Sequence, residues 1–120
     1  MNLPAKIIVA IIALEHIYIL WLEMFAWTGY AKKVFRGFPE DLFEKTKNLA
    51  ANQGLYNGFL AAGLLWSLFI SDVVWSKNIA LFFTSCVVIA GIYGGVTVGK
   101  SIFYKQGVPA IVGLLVILLF

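Results

Sequence analysis

Four stretches of the chain stay apolar for about as long as a bilayer is thick, and short polar segments separate them. They cover residues 3–27, 49–70, 79–98 and 102–120. A helix needs roughly 20 apolar residues to cross the hydrocarbon core. Lipid offers no partner to an unpaired backbone group, so continuous helices are the predicted form. In the fourth stretch Lys105, Gln106 and Pro109 interrupt the start, and Pro109 predicts a kink. The fold predicted is all-α: a four-transmembrane-helix bundle forming a single integral membrane domain over residues 1–120. In the first loop, Phe38-Pro39-Glu40-Asp41 reads as a helix start, which places the beginning of the second helix near Pro39. Residues 1–14 have the Lys6 and apolar run of a signal peptide. The run continues past Glu15 and His16 without a small-x-small cleavage pattern, so a retained helix is expected.

Polar residues inside those runs are the next signal. The first run carries Glu15, His16 and Glu23. Charged groups at mid-bilayer cost about 2.5–3.5 kcal/mol each, so they are expected to face the protein interior and to mark function. At 100° per residue the three fall within roughly a 100° arc, with His16 and Glu23 nearly in line and about 10 Å apart along the axis. On the second helix Asn52, Gln53, Tyr56 and Asn57 share an arc of about 140°. Ala51, Gly54, Gly58, Ala61 and Ala62 form a nearly opposite strip with small-xxx-small spacing, suited to close helix approach. The amides need partners, and the acids and imidazole of the first helix are the expected ones. Gly91, Gly95 and Gly99 form a second small-residue ridge on the third helix, where Tyr93 adds a polar group. Gln106 adds another on the fourth.

Composition narrows the class. Of 120 residues 62% are hydrophobic and 12% charged, and the net charge is +3. Seven of the nine cations (Lys32, Lys33, Arg36, Lys45, Lys47, Lys100 and Lys105) fall in the first and third loops, against Lys6 and Lys77 opposite. That bias predicts cytoplasmic loops one and three and external termini in a multi-pass protein of the cell membrane. It also accounts for the positive charge without a nucleic-acid partner. Trp27, Tyr30, Trp66, Trp75 and Tyr104 lie near the predicted span ends, as interfacial anchors do. Cys86 is the single cysteine, so no internal disulfide forms.

The polar set is Glu15, His16, Glu23, Asn52, Gln53, Asn57, Tyr93 and Gln106. A metal centre fits it poorly: Glu15 and His16 diverge by about 100°, there is one histidine, and no HExxH or ExxH pair occurs. Proton-coupled export, as in small four-span multidrug exporters, needs polar groups on both sides of the membrane. The external halves of helices one and two offer only Lys6 and Ser67. A structural polar core, with amides bonding across helices, accounts for Asn52, Gln53 and Asn57 more readily than for two acids and a histidine on one face. The remaining reading is a pocket open toward the cytoplasmic leaflet that binds or converts a small amphipathic molecule. Glu15, His16 and Glu23 would handle protons there. Asn52, Gln53, Asn57, Tyr93 and Gln106 would hold the ligand. No nucleophile motif, phosphate loop or cofactor fingerprint is present, so reaction class and cofactor stay open.

Leu14-Glu-His-Ile-Tyr18, Leu22-Glu-Met-Phe25, Ala51-Asn-Gln-Gly-Leu-Tyr-Asn-Gly58 and Ala90-Gly-Ile-Tyr-Gly94 together resemble a family of small four-span bacterial membrane proteins, known as a domain of unknown function. The resemblance covers essentially the whole chain. It implies a bacterial plasma membrane and four helices but no activity. The segment from Lys33-Val-Phe-Arg-Gly-Phe-Pro-Glu-Asp41 through Phe43-Glu-Lys45 to Asn52 and Tyr56 is similar to part of the membrane-associated eicosanoid and glutathione metabolism proteins. That similarity implies a homo-oligomer with a cytoplasmic-side site. The Arg and Glu that flank the asparagine in that family are replaced here by Asn48 and Leu55, so only Asn52 carries over and glutathione chemistry is not implied.

Overall fold

The computed structural model describes residues 1–120, and the chain is all-α with no strand. Its elements are α1 (Leu3–Met24), α2 (Ala31–Val34), α3 (Glu40–Lys45), α4 (Lys47–Phe69), α5 (Val73–Thr97), α6 (Lys100–Ile102), a π-helical turn (Phe103–Gly107) and α7 (Val108–Leu119). Three helical stretches are long and apolar enough to cross a membrane: Leu3–Met24, Val73–Thr97 and Lys100–Leu119. The expected fourth, α4, has the length at 23 residues. Its first half holds Lys47, Asn48, Asn52, Gln53 and Asn57, which lower its hydropathy.

Helix boundaries depart from the sequence expectation in three places, each for a local reason. The second helix does not run on from Pro39, because α3 ends at Lys45, Thr46 caps it and a new helix starts at Lys47. Thr46 turns its hydroxyl back to the Leu42 carbonyl at 2.7 Å and also accepts the Trp27 indole N–H at 3.0 Å. Helix α5 begins six residues before the predicted span because Asp72 caps it, its carboxylate accepting the Trp75 N–H at 2.9 Å. At Pro109 the expected kink takes the form of a π turn just ahead of it, and α7 then carries the proline in its first turn. Proline lacks the N–H that would close the preceding helical bond, and a single π turn inside the helix lies next to that gap. Asp72→Ala is expected to cost about 1 kcal/mol of stability, the usual value of an N-cap, measured by unfolding in mixed micelles.

The contacts divide the chain into two compact units, residues 1–13 with 60–120, and residues 14–59. The first unit has an aliphatic core of Ala5, Val9, Ile12, Ala13, Leu64, Ala80, Val87, Ala110 and Ile117. Small residues set its helix spacing. A Cβ on Gly91 would lie 2.5 Å from the Gly107 Cα, and one on Gly95 would lie 2.6 Å from the Phe103 Cβ. The ridge on α5 therefore packs within the chain, against the π turn. Ser76 donates to the Ser67 carbonyl at 2.7 Å, which joins the start of α5 to the end of α4.

The second unit has an aromatic core instead. Leu22, Ala31 and Phe43 are buried, with Trp27, Val34, Phe35 and Phe38 against them. The Trp27 ring lies 5.6, 5.7 and 5.0 Å from those of Phe35, Phe38 and Phe43. Trp27, which the sequence places near a span end, is the half-buried centre of the first loop's fold. Its indole N–H finds a partner in Thr46, as a buried tryptophan generally requires. Lys32, Lys45 and Lys47 pair with Glu40, Asp41 and Glu44 at 3.7, 3.9 and 2.9 Å. The Lys47 ammonium, hydrogen-bonded to Glu44, holds that carboxyl below its ordinary range.

Candidate functional site

The residues singled out on α1 and α4 meet at one point, Glu23 and Asn57. The Asn57 amide donates to Glu23 Oε1 at 2.6 Å and to the Gln53 carbonyl at 3.2 Å. Gly54 makes that approach possible. A Cβ there would lie 2.7 Å from the Met24 Cγ, 3.0 Å from the Glu23 Cβ and 3.2 Å from the Leu20 carbonyl oxygen. Gly58 likewise leaves room for the Leu20 side chain. The Gly54 and Gly58 part of the small strip thus faces α1, whereas the sequence reading turned the nearly opposite amide arc toward α1.

That choice of face decides the fate of the amides. Asn57, three residues beyond Gly54, lies at the edge of the strip and is buried. Asn52 and Gln53 lie farther round and are exposed, so the expected convergence of all three amides on α1 does not occur. His16 is buried and engaged within the structure. Glu15 is half-buried, and its Oε1 lies out of solvent with no hydrogen-bond partner. Tyr93 and Gln106 belong to the other unit, where Tyr93 is 70% exposed and Gln106 is half-buried. No group of three or more His, Cys, Asp or Glu side chains is placed to hold a metal ion.

An open cleft of about 170 Å3 is lined by Glu23 together with Trp27, Thr28, Lys47, Asn48 and Ala51. Sequence reasoning did not place Trp27, Thr28 or Asn48 near Glu23. The aromatic spacing from Trp27 to Phe43, which folds the loop back on the end of α1, is the signal that would have done so. Both Asn57 N–H groups are used within the chain, leaving its Oδ1 and Glu23 Oε2 as acceptors. Of the two, Glu23 lines the open cleft, and a carboxylate there is suited to a hydrogen-bond donor.

Residues 10–118 match the model of a family described as "Protein of unknown function (DUF1304)". The chain is also 32% identical over 117 residues to the uncharacterized protein YpaA of Lactococcus lactis subsp. lactis, covering 96% of this chain and 97% of that one. No solved structure matches it. Neither comparison lends support to the fainter likeness to eicosanoid and glutathione proteins.

Proposed function

This chain belongs to the DUF1304 family of proteins of unknown function, and from its own residues we propose that it is an integral membrane protein whose Glu23–Asn57 centre binds a small amphipathic molecule with a donor-bearing head. Helices α1, α4 and α5 and the Lys100–Leu119 stretch all cross the bilayer in this reading. The seven-to-two distribution of cations supports cytoplasmic loops one and three and external termini. The amides of α4 account for its low hydropathy, and the bond from Asn57 to Glu23 is of the kind that lets such a group lie within a membrane.

The observation that carries the reading is the 2.6 Å hydrogen bond from Asn57 to Glu23, a residue that also lines the open cleft. A group that had only to hold α1 to α4 needs no acid, because a neutral amide pair gives the same bond without the cost of a carboxylate. An ammonium or hydroxyl head would donate to the free acceptors, and its chain would lie along the apolar helices. Dodecylamine and dodecyltrimethylammonium share chain and charge, but the second lacks N–H donors. The wild type in non-ionic detergent is expected to gain thermal stability with the first and little with the second, by about 2.7 kcal/mol at a hundredfold excess over the dissociation constant. Glu23→Gln should lose most of that gain. Equal responses of the wild type to both amphiphiles, or to neither, would contradict the reading.

A further inference from the structure

We infer that the outward face of α4, carrying Asn48, Asn52, Gln53 and Tyr56, is the interface with a second copy of this chain. The inference rests on the reading that α4 lies in the membrane. Asn48, which also lines the cleft beside Glu23, is exposed, as are Asn52 and Gln53, and Tyr56 is 52% exposed with its ring beside Phe59, so the chain itself leaves this face largely uncovered. Asn48, Asn52 and Tyr56 follow one another at four-residue intervals and Gln53 sits beside them, which makes a single stripe along two turns. Only Asn57, on the edge facing α1, is taken up within the chain.

Lipid tails supply no hydrogen bonds, so exposed side-chain amides there are unfavourable until they find partners. The chemistry of the stripe points to which partner. Each amide has two N–H donors and a carbonyl acceptor, so a stripe of amides is complementary to itself. A symmetric pairing brings the same patch onto both copies and satisfies donors with acceptors, with no second sequence required. Leu49 and Phe59 are exposed beside the stripe and supply apolar packing around it. A charged partner would find no opposite charge among these four side chains, and an apolar one would leave the amides unmet.

The test uses the full chain in membrane vesicles, in a Cys86→Ala background that removes the native cysteine. Asn48→Cys, Asn52→Cys and Gln53→Cys are introduced one at a time, with Val96→Cys, 82% exposed on α5, as the comparison. Under mild oxidation at least one of the three α4 variants is expected to run as a disulfide-linked dimer and Val96→Cys as a monomer. An inter-chain disulfide requires Cα atoms about 4.4–6.8 Å apart, so it reports direct apposition. In parallel, Asn52→Leu combined with Gln53→Leu should convert the assembly to monomers in native mass spectrometry while its thermal unfolding shows the chain still folded. If none of the α4 cysteines cross-links yet all resist a membrane-impermeant maleimide, α4 is embedded, the proposed function stands and this interface is wrong. If the maleimide labels them all readily, α4 is in water there, and both fall.

Discussion

Gly91→Ala is expected to lower stability by about 3 kcal/mol, the upper end of what one added methyl costs in a packed interior. The new Cβ would lie 2.5 Å from the Gly107 Cα and 2.6 Å from its nitrogen. Both are backbone atoms, so no rotamer change relieves the contact and α5 must move off the π turn. Gly99→Ala is the internal control. Nothing lies within 4 Å of its added Cβ, and its φ of 171° is extended backbone open to any residue. That variant should be neutral or stabilising by up to about 1 kcal/mol, through a less flexible unfolded chain. Unfolding both in mixed micelles gives the comparison. Equal losses would mean that the α5 ridge does not pack against the π turn.

Asn57→Leu is expected to cost about 1–3 kcal/mol, the penalty of leaving a partly buried acceptor without its donor. The change removes the 2.6 Å bond to Glu23 Oε1 and adds an apolar group beside a carboxylate. Replacing both partners, Glu23→Leu with Asn57→Leu, should be less damaging than Asn57→Leu alone, because two apolar groups leave no orphan. The double-mutant cycle then isolates the pair, with a coupling of about 0.6–2 kcal/mol as for other membrane hydrogen bonds. Additive losses would show that Glu23 and Asn57 do not act on one another. The double variant separates stability from function in a second way: it should fold and yet lose its response to dodecylamine.

Much of this was legible from hydrophobic pattern alone. A carboxylate in the first apolar run and an asparagine in the second each need a partner, and Glu23 with Asn57 is such a match. The small strip of Gly54 and Gly58 was also correctly expected to admit a neighbouring helix. What the pattern leaves open is direction. Helical arithmetic groups Asn52, Gln53 and Asn57 in one arc but does not say which edge of it faces α1. Because the glycine strip takes α1, only Asn57 reaches Glu23. Boundaries set by single side chains were missed for a similar reason. Asp72 caps α5 and Thr46 breaks α3 from α4 through bonds that no hydropathy window registers. Trp27 sits at a span end like an interfacial anchor, and only the fold shows that Phe35, Phe38 and Phe43 enclose it.

The most direct measurement is native mass spectrometry of the protein extracted gently from its own membrane, wild type beside Glu23→Gln. The wild type should carry a small amphipathic adduct whose head bears an amine or hydroxyl, and the variant should have lost it while keeping the same fold. An adduct-free wild type, or one whose adduct survives unchanged in Glu23→Gln, would return Glu23 and Asn57 to holding α1 and α4 together.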